Sequence, residues 1–279
     1  ETGKKSEFLM GIAQPGQGPS ILVSAMSIGM FSISFMVADP GGFITLAGVI
    51  LACLATFIIF FHRDPERHIP SDKELVVSPA DGRVMFVVRE RSTGRRPTNE
   101  ERKTDQIETH PLMGDWFPQV PENPLSFETE QRWEPVHSGE ELPTDVFRIA
   151  IYMSPLDVHV QRSPISSQIV AMEHRTGKGR TRGPFRKASK KESEANERVR
   201  TVFQSHEGIS IEVTQIAGAV ARTIIPFSFI SDYLQRGQRY GMIRLGSRVD
   251  IRVPAEGTKP LVEPNLMVLA GTTPLFRRE

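Results

Sequence analysis

Cysteine is nearly absent: there is one, Cys53, in 279 residues. A single thiol cannot close a disulfide within the chain, and without a CxxC pair thiolate zinc chemistry is excluded. The seven histidines show no HExxH and no close metal spacing, so no metal is predicted. An excess of either charge is missing too. The formal net charge is +1, far from the basic surplus of a nucleic-acid binder, so no nucleic-acid partner is predicted. A composition of 39% hydrophobic and 24% charged residues fits neither a disordered nor a fibrous chain.

Two early stretches lack charge altogether, residues 20–37 and 43–61. Each approaches the roughly 20 residues that cross hydrocarbon as a helix. "ADPGG" between them is a turn signal. The reading is a transmembrane hairpin, within an N-terminal anchor over residues 1–69. The alternative is a buried helical pair in a soluble core. The first run carries five serines and is the weaker of the two. Lys4 and Lys5 precede the hairpin and Arg63 and Arg67 follow it, which by the positive-inside tendency puts both ends in the cytoplasm.

From residue 70 to the end, short β-rich runs alternate with Gly, Pro, Asp and Ser clusters, so they read as strands and turns. The predicted class is α+β, mostly β. Two segments interrupt the pattern. Residues 91–145 are polar and proline-rich and read as an inserted loop. Residues 178–191 carry Lys178, Arg180, Arg182, Arg186, Lys187, Lys190 and Lys191 with no acid among them. Such a run is either a solvated loop or, beside a membrane anchor, a collector of anionic lipid at about 1 kcal/mol per charge.

Inside one predicted strand, "GMIRLGSRVDIRVP", stands Gly246-Ser247. Glycine weakens a strand but lets another group approach its carbonyl. The hydroxyl of Ser247 is the nearest nucleophile to that carbonyl, and it needs a base to activate it. Alone, the dipeptide also reads as a plain strand bulge.

Three other stretches bear on that bond. "SPADGRV" carries Asp81 in a turn, "YMSPLDVHVQRSP" carries His159, and "SEANERV" carries Asn196, Glu197 and Arg198. With "FHRDPER" and "LGS", over about residues 40–255, the chain resembles the phosphatidylserine decarboxylases, and within them the short bacterial and archaeal branch.

The resemblance implies a self-processing proenzyme. Ser247 would be converted to a pyruvoyl group by cleavage at Gly246-Ser247, leaving a large chain 1–246 and a small chain 247–279. Asp81 and His159 match the family's acid and base for that cleavage, and His159 would also be the candidate proton donor in the lipid reaction. Arg162 stands where many relatives have a second histidine. It is either a cation for the substrate's carboxylate or phosphate, or a plain surface arginine. Lys187, Lys190 and Lys191 are expected to gather anionic lipid. The implied substrate is phosphatidylserine at the cell membrane, with archaetidylserine as the alternative, and a homo-oligomer is compatible with the sequence. The stretch from "QIAGAVARTI" to "GMIRLGS" also resembles a lipoyl/biotinyl barrel-sandwich. That predicts a barrel-sandwich-like domain and offers a second reading, a membrane-tethered adaptor without catalysis.

Overall fold

The computed structural model describes residues 11–38, 42–91, 145–175, 197–218, 224–244 and 247–279. The chain divides into two compact units, Glu1–Glu66 and Arg67–Glu279.

The first unit is a helical hairpin of α1 (Gln14–Met36) and α2 (Phe43–Phe61). At 1.5 Å per residue these helices are about 35 and 29 Å long, against a hydrocarbon core of about 30 Å. Helix α1 starts six residues before the charge-free run. Pro15 sits in its first turn, where a missing N–H costs nothing, and Gln17 Nε2 donates to Ile12 O at 3.1 Å. Three of the five serines that weaken the hydropathy of α1 are turned inward, whereas Ser32 is exposed and donates to Ile28 O. Ser20, Ser27 and Ser34, seven apart, are buried. Ser27 Oγ donates to Gly48 O of α2 at 3.0 Å, and Ser34 Oγ lies 2.5 Å from Thr45 Oγ1. Small residues let the two backbones approach, as helices in lipid require. The outward residues are large and bare: Ile28 is 66% exposed, Phe35 89% and Phe43 83%. The hairpin is therefore not the buried helical pair of a soluble core.

Among the described residues the second unit has fourteen strands. In chain order they are β1 (Leu75–Val77), β2 (Gly82–Arg91), β3 (Asp145–Met153), β4 (Val160–Arg162), β5 (Ser167–Arg175), β6 (Arg198–Gln204) and β7 (Ser210–Ile216). There follow β8 (Ile224–Pro226), β9 (Tyr233–Leu234), β10 (Arg239–Ile243), β11 (Ser247–Pro254), β12 (Thr258–Pro260), β13 (Met267–Val268) and β14 (Pro274–Arg278). They form an eight-stranded sheet in the order β13-β2-β3-β11-β7-β6-β5-β9, and two three-stranded sheets, β1-β14-β12 and β4-β10-β8. The expected barrel-sandwich closure is not seen among the described residues. The edges of the large sheet, β13 and β9, are two residues long and among the described residues pair inward only.

Alternation sorts the two faces of the large sheet. One face carries Ile149, Ile151 and Met153 of β3, Val249, Ile251 and Val253 of β11, and Ile211 and Val213 of β7, all in the apolar core. The opposite face is polar yet buried. There Asp250 accepts from Arg248 Nε at 2.6 Å and Nη2 at 2.8 Å, and from Arg148 Nε at 2.9 Å. Glu212 accepts from Arg252 Nη1 at 2.7 Å and Thr214 Oγ1 at 3.1 Å, with Arg200 Nε 3.8 Å away. Both Arg148 and Arg248 lie over the Phe86 ring, at 5.4 and 5.2 Å from its centroid.

The register fixes what shares one end of this sheet. Arg83 pairs with Tyr152, Ser247 with Met153, Arg248 with Ile216, Arg198 with Ile216 and Arg175 with Arg198. The start of β11 and the chain on either side of the basic segment 176–196 are therefore at the same end. Residues 92–144, the core of the expected insertion, leave from the other end, where Arg91 pairs with Asp145. Both segments lie outside the described residues.

Candidate active site

Asp81 sits in the turn that feeds β2. Ser78 Oγ donates to Ala80 O at 2.6 Å and closes the turn. Gly82 follows with φ +148°, and a Cβ there would lie 2.2 Å from Tyr152 O. Only glycine lets the turn press this close to the end of β3. The Asp81 carboxylate accepts from Arg67 Nη2 at 2.7 Å through one oxygen and from the Ala270 N–H at 2.7 Å through the other. Burial pushes its carboxyl up from the usual aspartate value. The Ala270 N–H and Arg67 oppose this, Asp157 adds to it, and the net direction is up.

His159 is fully buried. It follows a turn in which Ser154 N donates to Asp157 Oδ2 at 2.7 Å. Its Nδ1 lies 2.9 Å from Asp157 O. A carbonyl can only accept, so this contact puts the proton on Nδ1 and, in the neutral ring, leaves the lone pair on Nε2. A base of that tautomer is what a serine hydroxyl needs.

Ser247 opens β11 on its apolar face, opposite Met153, and is wholly buried. Its Oγ has no hydrogen-bond partner among the described residues. A buried hydroxyl left unpaired costs about 1–3 kcal/mol and calls for an explanation. Gly246 lies outside the described residues.

Backbone contacts carry the connection between these groups. Ile243 N donates to His159 O at 3.2 Å, so β4 and β10 run side by side just before Ser247. Arg162 N donates to Pro79 O at 2.9 Å and brings the Asp81 turn against the same strand. The Ser247 hydroxyl makes no hydrogen bond to the imidazole. Such contacts commonly tighten only as the reaction proceeds.

Sequence reading missed three participants. Arg67 is an ion-pair partner of Asp81, although it stands in the "RDPER" stretch. Gln161 and Gln215 form a buried amide pair, with Gln215 Nε2 donating to Gln161 Oε1 at 2.8 Å. Gln161 Nε2 in turn lies 2.8 Å from His159 O and 3.6 Å from Met153 Sδ, the residue facing Ser247. Gly241 makes room for this pair, since a Cβ there would come within 3.0 Å of Gln215 Nε2. A polar residue inside an apolar strand was the available signal for both glutamines.

Arg162 is not a surface arginine. It is buried, and its Nη1 donates to Gly237 O at 3.0 Å. Glu197 is also buried, its Oε1 3.0 Å from His174 Nε2. Asn196, Lys187, Lys190 and Lys191 lie outside the described residues.

The family model "Phosphatidylserine decarboxylase" matches residues 54–275. Among curated proteins, the phosphatidylserine decarboxylase proenzyme of Erythrobacter litoralis is 38% identical over 228 residues, covering 81% of this chain and 75% of its own. That of Trichlorobacter lovleyi is 33% identical and covers 88% and 91%. A putative archaetidylserine decarboxylase proenzyme of Methanothermobacter thermautotrophicus is 34% identical, covering 82% and 84%. No solved structure matches.

Proposed function

Because the chain belongs to the phosphatidylserine decarboxylase family, a family of lipid-biosynthetic decarboxylases, we propose that it cleaves itself at Gly246-Ser247 and then converts phosphatidylserine to phosphatidylethanolamine and carbon dioxide. The observation that carries this reading is the buried hydroxyl of Ser247, without a hydrogen-bond partner among the described residues, at the start of the strand that follows β10, whose Ile243 N–H donates to the carbonyl of His159.

The self-cleavage balances with this chain's own atoms. His159 Nε2 takes the hydroxyl proton as Oγ attacks the Gly246 carbonyl, and the amide becomes an ester as the Ser247 nitrogen leaves and takes a proton. Loss of the Ser247 α-proton then breaks the Cβ–Oγ bond and releases Gly246 as a carboxylate. Water replaces the exposed nitrogen, ammonia leaves, and the small chain is capped by a pyruvoyl group. Asp81, gripped by Arg67 and the Ala270 N–H, supports the charge that develops on the imidazole.

The residues fit that group, since the atom to be converted is already buried at the start of a central strand. When formed, the pyruvoyl group supplies a carbonyl sink for the electrons left when carbon dioxide departs. His159 then returns a proton to the substrate's Cα. The two apolar helices hold the enzyme in the cell membrane with its β unit in the cytoplasm, and Lys187, Lys190 and Lys191 gather anionic lipid. The Methanothermobacter relative favours archaetidylserine as the second candidate substrate, because the reacting headgroup is the same.

The test is a denaturing gel with mass spectrometry of purified protein. The reading expects a fragment of 33 residues, 247–279, blocked at its N-terminus and absent from Ser247→Ala. An active wild type in one uncut piece, with an unmodified serine, rejects it. Diacyl and ether lipids offered side by side identify the substrate.

A further inference from the structure

Four large apolar side chains are bare at the end of the sheet where Ser247 begins. Leu156 is 66% exposed, Leu266 46%, Met267 54% and Leu269 43%. They belong to separate segments that the structure draws together. Leu156 tips the turn after β3. Met267 pairs with Arg83 and Val268 with Gly82, which places β13 at the edge of the sheet beside the start of β2. Leu266 O accepts from Val84 N at 2.9 Å. Asp81 accepts from Ala270, the residue after Leu269, and feels the charge of Asp157, the residue after Leu156. The exposed leucines thus flank the Asp81 turn on two sides. Arg83, also exposed, stands among them. From β13 to β11 is three strand spacings, about 14 Å.

An apolar cluster rimmed by a cation, next to a reacting centre, is costly to leave in water and marks an interaction surface. Two observations select its occupant. Arg67, which grips Asp81, follows Phe61, the last residue of α2, by only six positions. A tether that short reaches about 20 Å at most. Arg83, exposed at the start of β2, offers the cluster a cation for the phosphates of an anionic leaflet, while the exposed acid Glu263 stands three residues before Leu266.

We propose that Leu156, Leu266, Met267 and Leu269, with Arg83, form a rim that dips into the interfacial layer of an anionic bilayer and delivers the lipid to the Asp81 end of the sheet. The delivery half rests on the decarboxylase reading, and the dipping half does not. Apolar side chains enter the boundary between headgroups and acyl chains, while the guanidinium stays at the phosphates. The lipid then need rise only partly from its leaflet to bring its head to the site.

The experiment uses the full chain in vesicles of phosphatidylcholine and phosphatidylglycerol. Cys53 is the only cysteine, so Cys53→Ser gives a background for single-cysteine labels. Leu156→Cys and Leu266→Cys carry an environment-sensitive fluorophore, and Glu207→Cys, exposed in the β6–β7 turn at the opposite end of the sheet, serves as the reference. The rim labels should shift to the blue and be quenched by brominated lipid, and the Glu207 label should do neither. Circular dichroism checks that each variant is folded, and the two rim positions check one another. Separately, Leu156→Ser with Leu266→Ser should lower turnover of vesicle lipid at least about tenfold and leave a dispersed short-chain lipid unaffected. Rim labels that behave like the Glu207 label overturn the dipping surface. Rim labels that enter the bilayer of a protein that turns over no lipid leave the surface standing and reject the decarboxylase reading instead.

Discussion

Replacing Asp250 with alanine strands two buried guanidinium groups. The carboxylate is 1% exposed and receives bonds from Arg148 and Arg248. Burial alone would raise its pKa. Arg148, Arg248 and Arg252 reverse that and hold it well below the usual carboxylate range. Removing one partner of a buried pair costs about 3–5 kcal/mol, because the remaining charge has lost its compensation. Phe86 still faces both arginines, so we take about 4 kcal/mol. For a unit of this size each kcal/mol moves the melting temperature by about 2–4 °C, so Asp250→Ala should melt about 8–16 °C lower. Asp250→Asn keeps the shape and an acceptor oxygen and should fall between. The assay is thermal unfolding in detergent at neutral pH, followed by circular dichroism at one scan rate. The pH dependence has a defined sign. A depressed folded pKa contributes stability that is present above the unfolded value of 3.8 and lost as pH falls through the folded one. The gap between wild type and Asp250→Ala should therefore be constant from pH 5 to 7, taken as about one unit or more above that value, and close only in stronger acid. A drop of less than about 3 °C would refute the claim that this carboxylate holds the polar face together.

Further predictions concern Arg67 and the basic segment. Arg67→Met removes a group that lowers the pKa of Asp81, so its carboxyl should rise further and the acid limb of self-cleavage should move to higher pH. A gel time course across pH measures this, and an unmoved limb would separate Asp81 from the processing step. Since the folded value lies above the unfolded one, Asp81 costs stability as pH rises through that window, and Arg67→Met should widen the window. Neutralising Lys187, Lys190 and Lys191 together should weaken turnover on anionic vesicles and spare a short-chain soluble substrate. Equal loss on both would remove the basic segment from lipid capture.

The parts of this molecule that were legible in the sequence are those whose signal is local. Charge-free runs marked α1 and α2, and alternation with Gly-rich turns marked the strands. Gly246-Ser247 was conspicuous because its two chemistries are adjacent in the chain. What escaped depends on register. Arg148 and Asp250 are 102 positions apart and meet only because β3 pairs with β11. Gln161 and Gln215 are 54 apart and meet where β4 lies against the large sheet. Arg162 read equally as a substrate cation or a surface arginine, and only the fold shows the Gly237 carbonyl to which it donates. The expected closure is not seen among the described residues, for a related reason. Short Gly-bounded strands suit a closed sheet and an open one equally, and the lengths of the edge strands decide.

Strand β11 has neighbours on both sides, β3 along its whole length and β7 along most of it. A nick just upstream of Ser247 severs the polypeptide but breaks no rung of either ladder. The two pieces should therefore travel as one particle through any column that does not denature them. Their separation would require unzipping an interior strand from two partners at once, so a new terminus there would be kept in place by the sheet rather than by a covalent bond.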